Sequence, residues 1–392
     1  MSIAGIICEY NPFHNGHRYH ISETRRTVVD CDGIVCVMSG NFVQRGDCAI
    51  MEKHVRARAA VLNGADLVIE LPTPWVLSSA EGFAKGGIWL LERLGIVTHL
   101  SFGSECSDID TLNAAAETMI DSEWEIHDIM STGISYAAAR EKALAGIDPA
   151  LGEILRRPNN ILAVEYLRAI RTMRSPIQPV TVSRHMADHD SGTACDNIAS
   201  ASYIRTDIEK NMDYIPENIR ELYYNEIKLN RSPAALYNCE RAILGCLRSM
   251  EPEQFDQLAH GGEGLGQKLY KAVQSENSLD GIMNAVKSKR YPMSRVRRMI
   301  LCAWLSIGKN AAAGPPPYIR VLAANERGRE MLREAKKKTY LPIITKPAAA
   351  RDLDEASSKL FRTEARITAQ YGLTQPNIGG AGDEWRFSPV MV

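Results

Sequence analysis

The chain has 392 residues, of which 45% are hydrophobic and 24% charged, and its formal net charge at pH 7 is −1. This composition is typical of a globular protein that is large enough for two or three domains. No apolar run reaches the roughly 18 residues of a membrane-spanning helix, and no basic-then-apolar signal precedes the first strand. We therefore expect a cytoplasmic protein that does not bind a membrane.

Nine cysteines are scattered along the chain without a C-x-x-C pair. Their odd number argues against a disulfide framework and favours buried, reduced thiols. A metal pair formed by Cys31 and Cys36 is the alternative, but no cluster of residues in the sequence demands a metal held by the protein.

The first strand and the turn after it carry the strongest functional signal. A strand is predicted over residues 3–8, followed by a polar turn over residues 9–13 and a helix over residues 14–29. His14 and His17 then lie on the same side of the first helical turn, with Gly16 between them. Free N–H groups and the positive dipole end favour phosphate there, and glycine permits close approach. The pattern predicts two imidazoles that bind nucleotide phosphates; ordinary surface histidines are the alternative.

Strands and helices alternate through the first half of the chain. Further strands are predicted over residues 33–38, 66–71, 100–102 and 179–182, and further helices over residues 53–62, 79–94, 108–117, 122–130 and 159–173. This alternation implies a parallel sheet with right-handed crossovers. The polar loop over residues 39–47 should open on the same side as His14. Ser78 and Glu81 are predicted to cap the helix over residues 79–94.

A second phosphate grip is predicted near residue 200. Residues 186–197 indicate a surface loop over the site, with metal ligands at Asp188, His189 and Asp190 as the alternative. Ser200 and Ser202 then lie at the start of a predicted helix. Ser202 precedes Arg205 by three residues. Their hydroxyl and N–H groups can hold an anion together with the guanidinium. Simple capping of a surface helix is the alternative.

The second half of the chain is predicted to be mainly helical. Helices are indicated over residues 219–229, 234–250, 254–259, 266–274, 278–286 and 294–307. The predicted fold class is therefore α/β, with a Rossmann-like parallel-sheet nucleotidyltransferase domain over residues 1–210. A mainly helical domain over residues 211–392 follows it.

The helical domain contains a strongly basic segment. Residues 286–351 hold 16 Lys and Arg residues but only 3 acidic ones. Such segregation in a nearly neutral chain indicates a polyanionic partner, although a solvated helical face is the alternative. Cations with Tyr291 as an available aromatic side chain suit an RNA loop. The candidate RNA-binding residues are Lys287, Lys289, Arg290, Arg295, Arg297, Arg298, Lys336, Lys337 and Lys338.

Seven blocks spaced along nearly the whole chain resemble those of the bacterial tRNA(Met) cytidine acetate ligases: GIICEYNPFHNGHRYHI, VMSGNFVQRGD, GADLVIELP, FGSE, RPNNILAVEYLRAI, SASYIR and YIRVLAAN. The resemblance implies that the protein activates acetate with ATP, giving acetyl-adenylate and pyrophosphate. The acetyl group would pass to N4 of the wobble cytidine of elongator tRNA(Met). Mg²⁺ is expected to accompany ATP, and no protein partner is implied.

From the residues themselves, we expect His14 and His17 to stabilise the α-phosphate and the departing pyrophosphate, and Ser202 and Arg205 to hold the far phosphates. The resemblance implies that His14 and His17 contact ATP. The remaining implied ATP contacts are Ile7, Cys8, Glu9, Tyr10, Asn11, Pro12, Phe13, Asn15, Gly16, Arg18, Tyr19, His20, Gly103, Asn160 and Arg184.

Two other functions fit the same residues. A nucleotidyltransferase could join AMP to a phosphorylated small molecule and have no use for the basic segment. Alternatively, an ATP-sensing RNA-binding protein would bind ATP without turning it over.

Overall fold

The computed structural model describes residues 2–183 and 197–392. Its strands are β1 (Ser2–Cys8), β2 (Cys31–Ser39), β3 (Phe42–Val43), β4 (Asp47–Cys48), β5 (Leu67–Leu71), β6 (His99–Ser104), β7 (Gln178–Ser183), β8 (Ile319–Ala324), β9 (Ile343–Ile344) and β10 (Val390–Met391). The helices that accompany the first seven strands are α1 (Asn15–Thr27), α2 (Lys53–Leu62), α3 (Thr73–Val76), α4 (Ala80–Arg93), α5 (Ile109–Asp121), α6 (Glu123–Ser131), α7 (Tyr136–Ile147), α8 (Pro149–Ile154) and α9 (Pro158–Thr172).

The rest of the described chain is mostly helical up to β8. Its helices are α10 (Ala201–Thr206), α11 (Glu217–Lys228), α12 (Glu240–Arg248), α13 (Pro252–Asp256), α14 (Leu265–Ser275), α15 (Leu279–Val286), α16 (Met293–Trp304), α17 (Glu326–Lys338), α18 (Glu355–Tyr371) and α19 (Asp383–Arg386). Between Tyr214 and Ile307, the described chain contributes no strand to the main sheet, which agrees with the helices predicted there.

The central sheet has the order β10-β8-β5-β2-β1-β6-β7, with β9 on β8. Strands β5, β2, β1, β6 and β7 are mutually parallel. The strand order reverses at β1, which lies between β2 and β6. In sheets of this kind, ligands bind outside the carboxyl ends of the strands at such a switch point. The residues that follow β1 therefore stand where a nucleotide site is expected.

Both faces of the sheet are covered by apolar side chains. One face packs against α4, α5 and α9 through residues that include Ile3, Val35 and Leu167. The other packs against α1, α2 and α11 through residues that include Ile6 and Ile34. Burial on both faces explains why the central strands read as continuous apolar runs rather than alternating ones.

The C-terminal part of the chain returns to the sheet, which corrects the expectation of an all-parallel sheet. All six residues of β8 are buried, and β8 pairs with β5 in antiparallel fashion. An unpaired β5 edge would expose backbone hydrogen-bonding groups, and β8 covers that edge. The predicted second domain is thus helical mainly in its first part, and a boundary near residue 210 stays a prediction.

Other predicted elements agree with the structure to within a few residues, with three local corrections. Ser79, not Ser78, caps α4, because its Oγ accepts the Gly82 N–H at 3.3 Å. Strand β6 continues through Gly103 and Ser104, two residues past the end of the predicted strand. The polar loop after β2 contains the short β3–β4 hairpin.

A buried ionic network fastens the C-terminal segment to the sheet. The Lys53 ammonium lies 2.8 Å from a Glu70 carboxylate oxygen and 2.5 Å from one of Glu384. Arg320 on β8 lies 3.4 Å from Glu384. Two cations and two carboxylates compensate one another, so α19 is held against β5 and β8 by charges that would be costly to separate.

No helix in the described ranges is long and apolar enough to cross a membrane.

Candidate active site

The two histidines of the H-x-G-H motif cap helix α1 together. His14 is the N-cap residue, and its Nδ1 accepts the Gly16 N–H at 3.0 Å. His17 Nδ1 accepts the His14 N–H at 3.3 Å, which completes a capping box. The ring centroids are 3.8 Å apart with an interplanar angle of 35°. A ring nitrogen that accepts an N–H carries no hydrogen, so the neutral form of each ring is protonated at Nε2 and acts there as a donor.

The turn between β1 and α1 is held from several sides. Tyr10 has a positive φ of 48°, and its hydroxyl lies 3.5 Å from Cys36 Sγ. The Phe13 N–H donates to the Tyr223 hydroxyl at 3.1 Å. Asn11 Oδ1 accepts the Ile50 N–H at 2.9 Å. These contacts fix the position at which α1 begins and therefore the position of both imidazoles.

Arg56 joins the carboxyl ends of the two central strands. Its side chain is fully buried, and the guanidinium donates to the carbonyls of Glu9, Ser39 and Gly40. Burial lowers the pKa of Arg56, but the carbonyl partners satisfy its donors. The loops after β1 and β2 therefore form one rigid unit.

A large cleft of about 1340 Å³ opens beside the two histidines. Most of the predicted nucleotide-binding residues line it: Ile7, Cys8, Glu9, Tyr10, Asn11, His14, Gly16, His17, Tyr19, His20, Gly103, Ser202 and Arg205. The structure thus brings together residues that lie nearly 200 positions apart in the chain. Arg184 and the alternative metal ligands at Asp188, His189 and Asp190 lie outside the described residues.

The other predicted nucleotide contacts do not line the cleft. Pro12 and Phe13 are buried, and Arg18 is exposed beside a shallow depression that includes Glu217. Asn15 Nδ2 donates to the Asn197 carbonyl at 2.9 Å. Asn160 is 3% exposed, and its Oδ1 accepts the N–H groups of Glu105 and Cys106, each at 2.9 Å. Asn160 therefore positions the turn after β6, and direct contact with a nucleotide stays a prediction.

The second predicted grip lines the same cleft as the first. Ser200 caps α10 by accepting the Tyr203 N–H at 3.2 Å, and its Oγ lies 2.9 Å from Ser202 Oγ. Arg205 donates to the Asn11 carbonyl at 2.7 Å. This bond ties α10 to the turn that precedes His14, so the two predicted grips lie close together at one cleft.

Arginines outnumber carboxylates at the base of the cleft. Burial raises the pKa of Glu9. The Gln44 N–H bond and the charges of Arg205, Arg56 and Arg45 lower this pKa, but by less than burial raises it. Burial also raises the pKa of Asp47, and this effect exceeds the opposite effect of the Cys48 N–H bond and of the charges of Arg297 and Arg205. The resulting excess of positive charge suits a polyphosphate.

Helix α16 brings part of the basic segment to the same cleft. Arg290, Arg295, Arg297 and Arg298 line it. Arg298 is 8% exposed and donates to the Gln44 carbonyl at 3.2 Å; burial lowers its pKa to about 10, so it stays charged at neutral pH. Arg295 pairs with Glu263 at 2.8 Å.

One feature of the basic segment differs from expectation. Tyr291 is buried rather than available, and its hydroxyl donates to the Glu263 carbonyl at 2.5 Å. Lys336, Lys337 and Lys338 are exposed at the end of α17, away from the cleft. A Cβ on Gly95 would lie 2.8 Å from that of Lys338, which places Lys338 near the amino end of β6, opposite the edge that carries His14. Lys287 and Lys289 are exposed just before α16.

Within residues 2–183 and 197–392, no three His, Cys, Asp or Glu side chains come close enough to hold a metal ion. The cysteines in these ranges are free thiols, and Cys31 donates to the Gly33 carbonyl rather than facing Cys36.

The sequence did not point to one wall of the cleft. Helices α7 and α9 supply Tyr136, Arg140, Glu165 and Arg168 to its lining. Arg140 lies on a helix that the sequence did not predict, and Glu165 lies within the block RPNNILAVEYLRAI but was not a predicted site residue. An ion pair between these two side chains, at 3.2 Å, joins the two helices.

The fold and the histidine pair define a nucleotidyltransferase of the H-x-G-H class, and residues 1–383 match the model of the family described as HIGH Nucleotidyl Transferase. Proteins named tRNA(Met) cytidine acetate ligase align along nearly the whole chain. That of Thermoanaerobacter sp. (strain X514) is 40% identical, with 97% of this chain and 98% of the relative covered. That of Clostridium perfringens (strain ATCC 13124) is 35% identical, with 100% of both covered. The chain belongs to the tRNA(Met) cytidine acetate ligase family.

Solved structures of TmcAL from Thermotoga maritima have the same fold. The apo crystal structure superposes with a TM-score of 0.94, and the one bound with alpha-thio ATP with a TM-score of 0.92. Each is 30% identical in sequence and covers 100% of both chains. The α/β nucleotidyltransferase fold expected from the sequence is thereby confirmed.

Gly46 tests how the helical part is seated on the sheet. Its φ is +79°, and a Cβ there would lie 2.6 Å from the Arg298 backbone nitrogen. We expect Gly46→Ala to lower the free energy of unfolding by about 2–4 kcal/mol, since backbone strain and overpacking add. Denaturant unfolding measures this change.

Gly133→Ala is the matched control. Gly133 also has a positive φ, of +91°, but a Cβ there would meet nothing within 4 Å. We expect a loss of only about 1 kcal/mol from the backbone conformation. Equal losses in the two variants would show that the contact between Gly46 and α16 contributes nothing to stability.

Proposed function

We propose that this chain is an ATP-dependent tRNA acetate ligase that forms N4-acetylcytidine at the wobble position of elongator tRNA(Met). The names of its relatives support this activity, as does the ATP analogue bound by the Thermotoga maritima structure. The observation that carries the proposal is that two candidate anion grips, His14 with His17 and Ser202 with Arg205, line one arginine-rich cleft.

In the first step, an acetate oxygen attacks the α-phosphorus of ATP. The bond between that phosphorus and the bridging oxygen breaks, which gives acetyl-adenylate and pyrophosphate. Negative charge develops on the non-bridging and leaving oxygens, and donors already held in place stabilise it without reorganisation. The Nε2–H groups of His14 and His17 supply such donors, because the helix cap fixes both rings.

The positive groups on the other side of the cleft hold the leaving pyrophosphate. Arg205 is fixed to the turn before His14, and Ser202 lies at the start of the same short helix. Gly16 and Gly103 line the cleft and carry no side chain, so the nucleotide can approach the backbone there. Asn160 would shape this part of the site by positioning the turn after β6.

In the second step, the N4 amine of cytidine attacks the acetyl carbon. The bond between that carbon and the adenylate oxygen breaks, AMP leaves, and N4 loses a proton. A tRNA must therefore reach the cleft that holds the adenylate. The arginines of α16 lie along this cleft, and Lys287 and Lys289 extend the positive surface outward. The run from Lys336 to Lys338 remains a candidate for a more distant RNA contact.

Mg²⁺ is expected to enter with ATP. Among the described residues no three suitable ligands cluster, so the chain fits an ion held by phosphate oxygens and water rather than by a protein cage. Bound in this way, Mg²⁺ would neutralise phosphate charge. The proposed tRNA substrate of the protein and the free thiols of its described residues agree with a cytoplasmic location.

Nucleoside analysis tests the proposed function directly. The purified protein is incubated with ATP, isotope-labelled acetate and bulk tRNA, and the tRNA is digested to nucleosides. We expect label in N4-acetylcytidine, and only when ATP is present. A labelled or adenylylated small molecule with unmodified tRNA would contradict the proposal.

Charge reversal tests the route of the tRNA. We expect Lys287→Glu with Lys289→Glu to weaken tRNA binding and to reduce the slope of log K against log[salt] by about 2, one per lost phosphate contact. Acetate-dependent ATP–pyrophosphate exchange should be retained, because both side chains lie outside the cleft. Titrations at several salt concentrations measure the slope.

Reversal of Lys336, Lys337 and Lys338 provides the comparison, since they carry similar exposed charge at the opposite edge of the sheet. We expect a smaller change in tRNA affinity there. A larger effect at this site than at Lys287 and Lys289 would contradict the proposed route.

A further inference from the structure

Part of the cleft lining, which we call the arm, belongs to neither predicted nucleotide grip. Its polar residues are Tyr136 and Arg140 of α7 with Glu165 and Arg168 of α9. Apolar side chains including Phe83 and Leu162 line the same cleft. Pockets for one small ligand usually measure about 300–1000 Å³. A cleft of about 1340 Å³ therefore has room for a second ligand beside a nucleotide.

The polar residues of this arm form an asymmetric ion cluster. Glu165 Oε1 accepts from Arg140 at 3.2 Å, and its Oε2 accepts from Arg168 at 2.8 Å. Arg168 also donates to the Tyr136 hydroxyl at 3.4 Å. Arg140, Glu165 and Arg168 are only 5%, 2% and 8% exposed. Two guanidiniums thus flank one carboxylate. The guanidiniums have further N–H donors, and the carboxylate has further acceptor sites, beyond the bonds within the cluster.

The arm adjoins the turn that leads to His14. Tyr166 follows Glu165 on α9, and its ring centroid lies 5.9 Å from that of Phe102, the neighbour of Gly103. Burial raises the pKa of Tyr166, and the nearby Glu9 carboxylate raises it further. Glu9 belongs to the turn between β1 and His14. Glu9, Phe102 and Tyr166 line the same cleft as the two histidines, so a ligand in this arm would share that cleft with the nucleotide.

We propose that the Arg140–Glu165 pair recognises the acceptor cytosine base, with Glu165 accepting a hydrogen bond from N4 and Arg140 donating to N3 and O2. This proposal rests on the proposed function and assigns the base-selecting part of the site. Cytosine presents one donor, the N4 amine, beside two acceptors, and a carboxylate beside a guanidinium is its complement. Uracil presents O4 in place of the amine, and that oxygen would face the carboxylate.

The chemistry of the acceptor supports this assignment. An enzyme that acts on an exocyclic group must take the base out of its stack and hold it in a pocket. Wobble bases lie in a single-stranded loop, where such exposure costs least. The apolar side chains of the cleft suit the faces of a base, and the ion pair suits its edge. A small carboxylate such as acetate is a poorer match, because it would compete with Glu165 for the two guanidiniums that already donate to that carboxylate.

The test uses Glu165→Gln in the full-length protein. Wobble-cytidine tRNA is the substrate, and the same tRNA with C34 changed to U is the competitor. We expect kcat/KM for acetylation to fall about tenfold or more, and the uridine tRNA to inhibit about tenfold better relative to the substrate, because a glutamine can donate to O4. Acetate-dependent ATP–pyrophosphate exchange should stay within about twofold, since Glu165 contacts no group of ATP in the proposed site.

Glu153→Gln is the matched control on the neighbouring helix α8. Its side chain is 63% exposed and pairs only with Arg156 among the described residues. We expect wild-type acetylation and wild-type discrimination between the two tRNAs in this variant. Wild-type protein that forms no N4-acetylcytidine would instead refute the proposed function itself, before the variants are compared.

Arg140→Lys keeps a cation beside Glu165 and so covers the case in which Glu165→Gln does not fold. It removes the planar fork, and we expect KM for tRNA to rise about tenfold with unchanged KM for acetate in the exchange reaction. Unchanged tRNA kinetics in Arg140→Lys, unchanged C-over-U discrimination in folded Glu165→Gln, or a defect confined to KM for acetate would each overturn the proposal.

Discussion

The capping of α1 by two histidine side chains is the interaction on which the site depends. Each Nδ1 accepts a backbone N–H at the helix start, so neither ring can rotate without exposing an unpaired donor. The cap also fixes the tautomer of each neutral ring, because the hydrogen must then lie on Nε2. The same two side chains thus form a helix cap and the predicted anion-binding group.

The surrounding structure holds that cap at the switch point of the sheet. Arg56 links the loops after β1 and β2, and Arg205 links α10 to Asn11. The helical part is seated on the same loops. Phe42 of β3 packs edge-on against Trp304 and Tyr371, with centroid distances of 6.1 Å, inside the core of the helical part. Elements from distant parts of the chain thus meet at one edge, where an adenylate formed on the sheet is open to groups carried by α16.

Much of this arrangement could be predicted from the sequence because it depends on local signals. The apolar run before the polar turn places β1, and the histidine spacing places both rings on one helical turn. Ser200 caps α10 as its position before Ser202 and Arg205 suggested. What joins distant segments could not be predicted in the same way. The apolar run of β8 gives no indication of its antiparallel partner β5, and the burial of Tyr291 under Lys268 and Arg295 depends on tertiary packing. A run of positive charge in the sequence likewise does not indicate on which surface each residue lies. Arg297 lines the cleft, whereas Lys338 lies at the opposite edge of the sheet.

The role of the paired cap is tested most directly by His17→Asn. The asparagine Oδ1 can occupy the position of the imidazole Nδ1 and accept the His14 N–H, but the variant has no counterpart of Nε2. We expect a folded protein with wild-type thermal stability whose acetate-dependent ATP–pyrophosphate exchange is about 10²-fold slower or worse, as for the loss of one transition-state donor. Exchange at a near-wild-type rate in the folded variant would contradict the assignment of the histidine pair to phosphate stabilisation.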